Sequence, residues 1–128
     1  MGVGKTAVVC GGRDLTFTPT EPWGLALYDA LTRMRITRVI HGGAPGADRH
    51  AAAVAHDMGR EVVCVPADWI KHGRKAGPMR NAEMLDMKPN VVIALPGGRG
   101  TADMCRQARA AGVRVVRLVD ASTSKWVK

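Results

Sequence analysis

Five short runs rich in valine and isoleucine recur along the chain, and a segment of helical periodicity separates each run from the next. The runs cover residues 6–10, 38–41, 61–65, 91–95 and 114–118, and the helical segments cover 21–34, 48–58, 78–87 and 101–111. Nearly continuous apolar runs are typical of strands covered on both faces of a parallel sheet. Right-handed crossovers then predict an α/β fold, with a Rossmann-like, doubly wound, mostly parallel five-stranded sheet and helices on both faces. We expect the strand order 3-2-1-4-5, with a switch point between the first and fourth strands.

The composition fits one globular domain over residues 1–128, because 46% of the residues are apolar and 23% are charged. No apolar run approaches the roughly 18 residues that a membrane-spanning helix needs, so we expect a cytoplasmic protein with no membrane partner. The three cysteines are widely spaced, which fits neither a disulfide framework nor a zinc clip. The four histidines also lack the spacing of metal ligands, and we therefore predict no metal and no cofactor.

The charge of the chain favours an acidic partner. There are 19 Lys and Arg against 11 Asp and Glu, giving a net charge of +8, and Arg outnumbers Lys by 13 to 6. Guanidinium groups bind phosphate through a bidentate fork, so this balance suits a nucleotide, a nucleic acid or another phosphorylated ligand. A merely basic, soluble surface is the alternative.

Three glycine-rich segments directly follow the first, second and fourth predicted strands. In an open parallel sheet these carboxyl ends share one edge, which is where ligands bind. Glycine lets backbone N–H groups approach an anion closely, and the helix that follows adds partial positive charge. We therefore predict a phosphate site at this edge. Its predicted ligand-binding residues are Gly11, Gly12, Arg13, Gly42, Gly43, Ala44, Gly46, Asp48, Pro96, Gly97, Gly98, Arg99, Gly100 and Thr101.

A basic stretch follows the third predicted strand, because residues 71–80 carry four positive charges and no acidic residue. It can be read as a solvated loop. The functional interpretation places Arg80 and Asn81 in the first turn of a helix beside the glycine edge. Arg80 would then clamp phosphate, Asn81 would bind a sugar or base, and Trp69 would cover a base. Trp69 can equally be read as a plug of the hydrophobic core.

Five ordered motifs extend over nearly the whole chain, at residues 11–14, 41–48, 67–69, 77–81 and 96–104. Together they resemble the YspA-type, YpsA-related branch of the SLOG superfamily. The resemblance implies a Rossmann-like fold that binds a nucleotide or a nucleotide-derived ligand, in a family with members in bacteria and phages.

Cytokinin-activating phosphoribohydrolases of the LOG type carry a similar PGGxGTxxE motif, whose glutamate helps cleave an N-glycosidic bond. The equivalent position here is Met104, and the nearest acidic residue is Asp103. One residue along a helix rotates a side chain by about 100°, so Asp103 does not simply inherit the role. Because such cleavage needs a carboxylate near the sugar, the catalytic candidates are Asp103, Asp48 and Asp14. Asp48 can also be read as a helix N-cap.

The DNA-processing protein A family supports an alternative function. Its GGAxGxD motif, followed by a helix rich in Ala and His, is similar to residues 42–56, and its later Arg-Asn pair is similar to Arg80 and Asn81. That family binds single-stranded DNA, so the alternative is a single-stranded nucleic-acid binding module. Relatives with this fold pair through their helices, and the Leu-, Met- and Ala-rich helix faces are compatible with a homodimer or a higher homo-oligomer.

Overall fold

The computed structural model describes residues 4–121 and 125–127. The strands are β1 (Lys5–Cys10), β2 (Ile36–His41), β3 (Glu61–Cys64), β4 (Val91–Ala94), β5 (Arg114–Asp120) and β6 (Lys125–Val127). The helices are α1 (Pro22–Arg33), α2 (Ala47–Asp57), α3 (Trp69–His72), α4 (Ala76–Asp86) and α5 (Arg99–Ala110). The described strands form one sheet in the order β3-β2-β1-β4-β5-β6.

The first five strands are parallel, which confirms the predicted α/β fold and the order 3-2-1-4-5. The sixth strand pairs antiparallel with β5 and was not predicted. Because β6 has only three residues, its sequence is too short to show the alternation of apolar and polar residues that predicts a strand. Only its pairing with β5 identifies it.

The two faces of the sheet carry separate hydrophobic clusters, as a doubly wound fold requires. In β1, Ala7 and Val9 belong to the cluster that includes α1 and α2, whereas Val8 and Cys10 belong to the cluster that includes α4 and α5. Successive side chains of a strand point to opposite faces, and residues 7–10 are all buried, so β1 is covered on both sides. This burial holds the carboxyl end of β1 in the middle of the sheet.

Helix α4 begins two residues earlier than predicted, because a 3-10 turn at Gly73–Lys75 leads directly into it. Pro78 is its third residue, where its missing N–H has no intrahelical partner to lose. Consequently Arg80 and Asn81 lie in the second turn of α4, and their predicted place in the first turn was wrong.

Helices α1, α2 and α5 lie within two residues of the predicted bounds, whereas the four-residue α3 was not predicted. Over the part of the chain that the structure describes, none of the helices combines the length and the apolar character needed to cross a membrane. Since β1, β2 and β4 are parallel, the three glycine-rich loops that follow them lie along one edge of the sheet.

Candidate functional site: an arginine-rich cavity at the glycine edge

An open cavity of about 1160 Å³ occupies the carboxyl edge of the sheet, between the first and third glycine-rich loops and α4. Most predicted site residues line it: Gly11, Gly12, Arg13, Asp14, Ala44, Asp48, Trp69, Arg80, Asn81, Pro96, Gly97, Gly98, Arg99, Gly100, Thr101 and Asp103. Gly42, Gly43 and Gly46 do not line it. These three glycines belong to the loop between β2 and α2.

Gly12 joins the three loops through its backbone. Its N–H donates to the Pro96 carbonyl at 2.8 Å, and its carbonyl accepts from the Ala47 N–H at 3.0 Å. Gly46, with φ at +82°, lies against the backbone of the first loop, where a Cβ would overlap carbonyl oxygens. Only glycine meets both requirements at that position. The loops are therefore held by short-range contacts between their backbones.

Arg80 of α4 is hydrogen-bonded to the backbone of the second glycine-rich loop. Its Nη1 donates to the Gly42 carbonyl at 2.8 Å, and its Nε donates to Asn81 Oδ1 at 3.2 Å. A Cβ on Gly42 would overlap the guanidinium, so the arginine approaches the loop backbone closely only because residue 42 is glycine. A guanidinium has five N–H donors, and those not used in these two bonds remain for an anion in the cavity.

Asp48 holds the second loop from within, and its predicted role as an N-cap was wrong. It lies in the first turn of α2, whose N-cap is Gly46. Its Oδ2 accepts from the N–H of Gly42 at 2.9 Å and from the N–H of Ala44 at 3.3 Å. Burial raises the pKa of this carboxyl, although the two backbone donors and nearby Arg80 act in the opposite direction. Asp48 is a positioning residue for the loop.

His41, at the end of β2, also stabilises the second loop through a hydrogen bond. Its Nδ1 accepts from the N–H of Gly43 at 3.0 Å, so the neutral ring carries its proton on Nε2. Burial lowers the pKa of His41, which agrees with a neutral ring. The side chain is 7% exposed and does not line the cavity.

Asp103 is the centre of a buried hydrogen-bond network beneath the cavity. Its Oδ2 accepts from Asn81 Nδ2 at 2.9 Å and from Gln107 Nε2 at 2.7 Å, and its Oδ1 accepts from Arg106. Asp103 is 8% exposed. A carboxylate with three donors is held as a structural acceptor, so this geometry favours a positioning role for Asp103 over a catalytic one.

Asn81 belongs to the same network and is 4% exposed. Its amide nitrogen donates to Asp103 and to the Gly100 carbonyl at 3.3 Å, and its oxygen accepts from Arg80. Both amide hydrogens are thus used inside the protein. We expected Asn81 to bind a sugar or base. In the structure its side chain lines the cavity, connects α4 to α5 and accepts a hydrogen bond from Arg80.

Trp69 lies at the mouth of the cavity with 47% of its surface exposed, so its reading as a core plug was wrong. The Arg13 guanidinium lies 5.6 Å from the centre of the indole ring. This separation is within the range of a cation–π contact. The next residue, Ile70, is fully exposed.

The charged residues of the cavity favour an anion. Its lining includes the arginines 13, 74, 80, 99 and 106 against the aspartates 14, 48 and 103. Sequence reasoning missed Arg74 and Arg106. Arg74 belongs to the basic stretch but carried no motif, and Arg106 is one helical turn beyond Asp103, a spacing that could have identified it. Asp14 differs from the other two aspartates because its side chain is exposed. In the described part of the chain no three His, Cys, Asp or Glu residues group as metal ligands would.

Comparison with known proteins identifies the family. The model of the YspA, cpYpsA-related SLOG family matches residues 6–72, slightly more than half of the chain. The chain belongs to this SLOG family. The matched residues include the first two glycine-rich loops and Trp69, whereas Arg80 and the third loop lie beyond them. Membership of the SLOG family fits a nucleotide-related ligand-binding role.

A phage protein supports the same assignment. The Gene 61 protein of Mycobacterium phage D29 is 43% identical over 109 residues, which cover 79% of this chain and 86% of the phage protein. The X-ray structure of TM1055, a structural genomics target, superposes with a TM-score of 0.64 at 22% identity, covering 87% of this chain and 72% of TM1055. That likeness supports the α/β fold with its parallel sheet and says nothing about chemistry.

Proposed function

We propose that this SLOG-family protein binds a nucleotide or a nucleotide-derived phosphate ligand in the cavity at the carboxyl edge of its sheet. The observation that carries the proposal is the convergence of two glycine-rich loops and five arginines on one open cavity. Glycine-rich loops expose backbone donors, and arginines neutralise phosphate through paired hydrogen bonds. The lining carries five arginines against three aspartates, so its excess of positive charge favours an anionic ligand over a neutral one.

The phosphate group would lie near the start of α5. Gly98 is the N-cap of this twelve-residue helix and has no side chain to cap it, so the first N–H groups of the helix remain available to a ligand. Arg99 and the half-buried Arg80 line the same cavity and supply charge. Thr101, also in the first turn, would add a hydroxyl donor.

The base would lie against Trp69. An indole ring in the lining of an arginine-containing cavity offers a stacking surface that accepts any base, and Arg13 already lies near that ring. The cavity, at about 1160 Å³, exceeds the usual volume of small-molecule sites, which is about 300–1,000 Å³. We therefore favour a ligand larger than a mononucleotide, such as a dinucleotide or ADP-ribose.

The test is a thermal-shift screen of the purified protein with AMP, ADP-ribose, NAD, cyclic dinucleotides and a short single-stranded oligonucleotide, each at low and moderate salt. A ligand at 100 times its Kd stabilises the folded state by about 2.7 kcal/mol, which raises the Tm by several degrees. A shift with a small nucleotide that persists at moderate salt supports the proposal. A shift with the oligonucleotide alone, lost at moderate salt, contradicts it and favours nucleic-acid binding, because counterion release makes that binding strongly salt-dependent.

Hydrolysis of an N-glycosidic bond is the second candidate function, and Asp14 is the observation that favours it. Of the three candidate carboxylates, Asp48 and Asp103 are buried and hydrogen-bonded, whereas Asp14 is exposed on the cavity lining. The test is an assay in which chromatography measures the release of free base from the nucleotide that binds. Asp14→Asn should abolish release while the nucleotide still binds, and equal turnover in that variant would contradict a role for Asp14.

A further inference from the structure

Two cysteines lie beside each other under the third glycine-rich loop. Cys10 is the last residue of β1, and Cys105 lies in the second turn of α5. Both belong to the cluster on the α4–α5 face of the sheet, with 9% and 6% of their surfaces exposed. The two thiols are near enough to perturb each other's ionisation, and neither is in a disulfide.

Cys105 also lines a second cavity, of about 720 Å³, on the far side of the third loop. Arg109 and Arg117 line the same cavity, from α5 and from β5. The pair is thus reached from two sides, because Cys10 lines the first cavity and Cys105 the second.

The surroundings distinguish the two sulfur atoms. The neighbouring Cys10 thiol, together with the charges of Arg109 and Arg117, lowers the pKa of Cys105 to about 6, and burial only partly opposes this. The neighbouring Cys105 thiol and burial raise the pKa of Cys10. The charge of Asp48 also raises the pKa of Cys10, whereas the charge of Arg80 lowers it. Since the thiolate is the nucleophile, this difference favours Cys105 over Cys10 as the sulfur that attacks an oxidant.

We propose that Cys10 and Cys105 form a redox-active thiol pair, in which a hydroperoxide entering the second cavity oxidises Cys105 and Cys10 then closes a reversible disulfide. This proposal does not depend on the proposed nucleotide site. It rests on the paired sulfur atoms, the cavity and the two arginines.

The chemistry balances in two steps. The Cys105 thiolate attacks one oxygen of hydrogen peroxide, the O–O bond breaks, and hydroxide leaves, which forms a sulfenic acid on Cys105. The Cys10 sulfur then attacks the Cys105 sulfur, the S–O bond breaks, and the hydroxyl group leaves with the Cys10 proton as water. The two thiols lose two electrons and two hydrogens in total, and the peroxide is reduced to two molecules of water.

The experiment uses the full chain carrying Cys64→Ser, because Cys64 is an exposed thiol and would react by itself. After treatment with hydrogen peroxide, the intact mass should fall by two hydrogens, and non-reducing peptide mapping should show Cys10 linked to Cys105. Dithiothreitol should restore the original mass. An unchanged mass, or a disulfide formed only between two chains, overturns the proposal.

Two further variants separate the roles of the sulfur atoms. With Cys10→Ser added, Cys105 should stop at the sulfenic acid, which dimedone traps, whereas with Cys105→Ser added the remaining thiol should be unreactive. The rate at which iodoacetamide labels Cys105 in the Cys64→Ser protein should rise with pH, with a midpoint at about pH 6. Replacing Arg117 with Gln should shift this profile to higher pH. Equal peroxide reactivity of Cys10 and Cys105 would overturn the assignment.

Discussion

Arg80 and Gly42 are 38 residues apart in the sequence, and the Arg80 guanidinium donates a 2.8 Å hydrogen bond to the Gly42 carbonyl. The contact is possible because position 42 has no side chain. It attaches α4 to the loop after β2, and Asn81 and Asp103 continue the connection from α4 to α5. One chain of hydrogen bonds thus extends from the second glycine-rich loop to the helix that follows the third.

Replacing Arg80 with Ala should weaken nucleotide binding by about 1.5 to 3 kcal/mol, the scale of a charge-assisted hydrogen bond. Isothermal titration calorimetry with the best ligand of the screen measures the loss. Arg114→Ala is the matched control, because Arg114 is exposed at the opposite, amino-terminal edge of the sheet and should bind normally. Equal affinity of the Arg80→Ala variant and the control would remove Arg80 from the site.

Replacing Gly42 with Ala should weaken binding through Arg80, since the new Cβ overlaps the guanidinium. A double-mutant cycle tests this path. Gly42→Ala should reduce affinity in the wild-type protein and have a smaller effect in Arg80→Ala, where the space is open. Additive effects of the two substitutions would show that Gly42 acts independently of Arg80.

Replacing Trp69 with Ala should reduce nucleotide affinity by about 1–3 kcal/mol, the usual loss when a base loses an aromatic stacking partner. The same change should affect inorganic phosphate binding much less. Ile70→Ala is the matched control, because this neighbouring side chain is apolar and fully exposed and does not line the cavity. If both variants lose the same affinity, the indole ring has no specific role.

Replacing Asp103 with Asn should lower the free energy of unfolding by about 1–3 kcal/mol, because an amide nitrogen would face at least one donor in the buried network and leave it unpaired. Urea denaturation measures the change. Asp14→Asn should leave stability nearly unchanged, since that carboxyl is exposed. A stable Asp103→Asn protein would contradict the positioning role assigned to Asp103.

His41 should make the protein less stable below its ordinary pKa of 6.5. The folded state keeps the ring neutral, so the unfolded state binds the proton more readily. The free energy of unfolding therefore decreases as the pH falls through this value. The raised pKa of Asp48 acts in the opposite direction, from its ordinary value of 3.8 upward. Measurements of Tm between about pH 7.5 and 5.5 should therefore show a decline.

His41→Asn isolates this effect, because the Asn oxygen can accept from the Gly43 N–H without titrating. The variant should lose less stability over the same pH interval. His56→Asn, on the exposed face of α2, serves as the control and should follow the wild-type profile. An identical decline in His41→Asn would assign the pH dependence to other groups.

The sequence by itself determined the parallel order of the first five strands and the edge at which the glycine-rich loops meet. Both follow from short-range rules: apolar runs form buried strands, glycine clusters end them, and parallel strands align their carboxyl ends. For the same reason residues 11–14 and 96–101 could be assigned to the cavity before any coordinates were known.

Only the tertiary structure decided which polar side chains beside the glycine-rich motifs form hydrogen bonds within the protein. Asp48, Asn81 and Asp103 are all polar residues beside glycine-rich motifs, yet each is buried and hydrogen-bonded inside the protein. Their partners come from other loops or helices, and a buried polar group must find such partners wherever the packing places them. The pairing of Cys10 with Cys105 has the same origin, because strand and helix meet there only once the sheet is covered. Sequence patterns are local, whereas these contacts depend on distances that the packed fold alone creates.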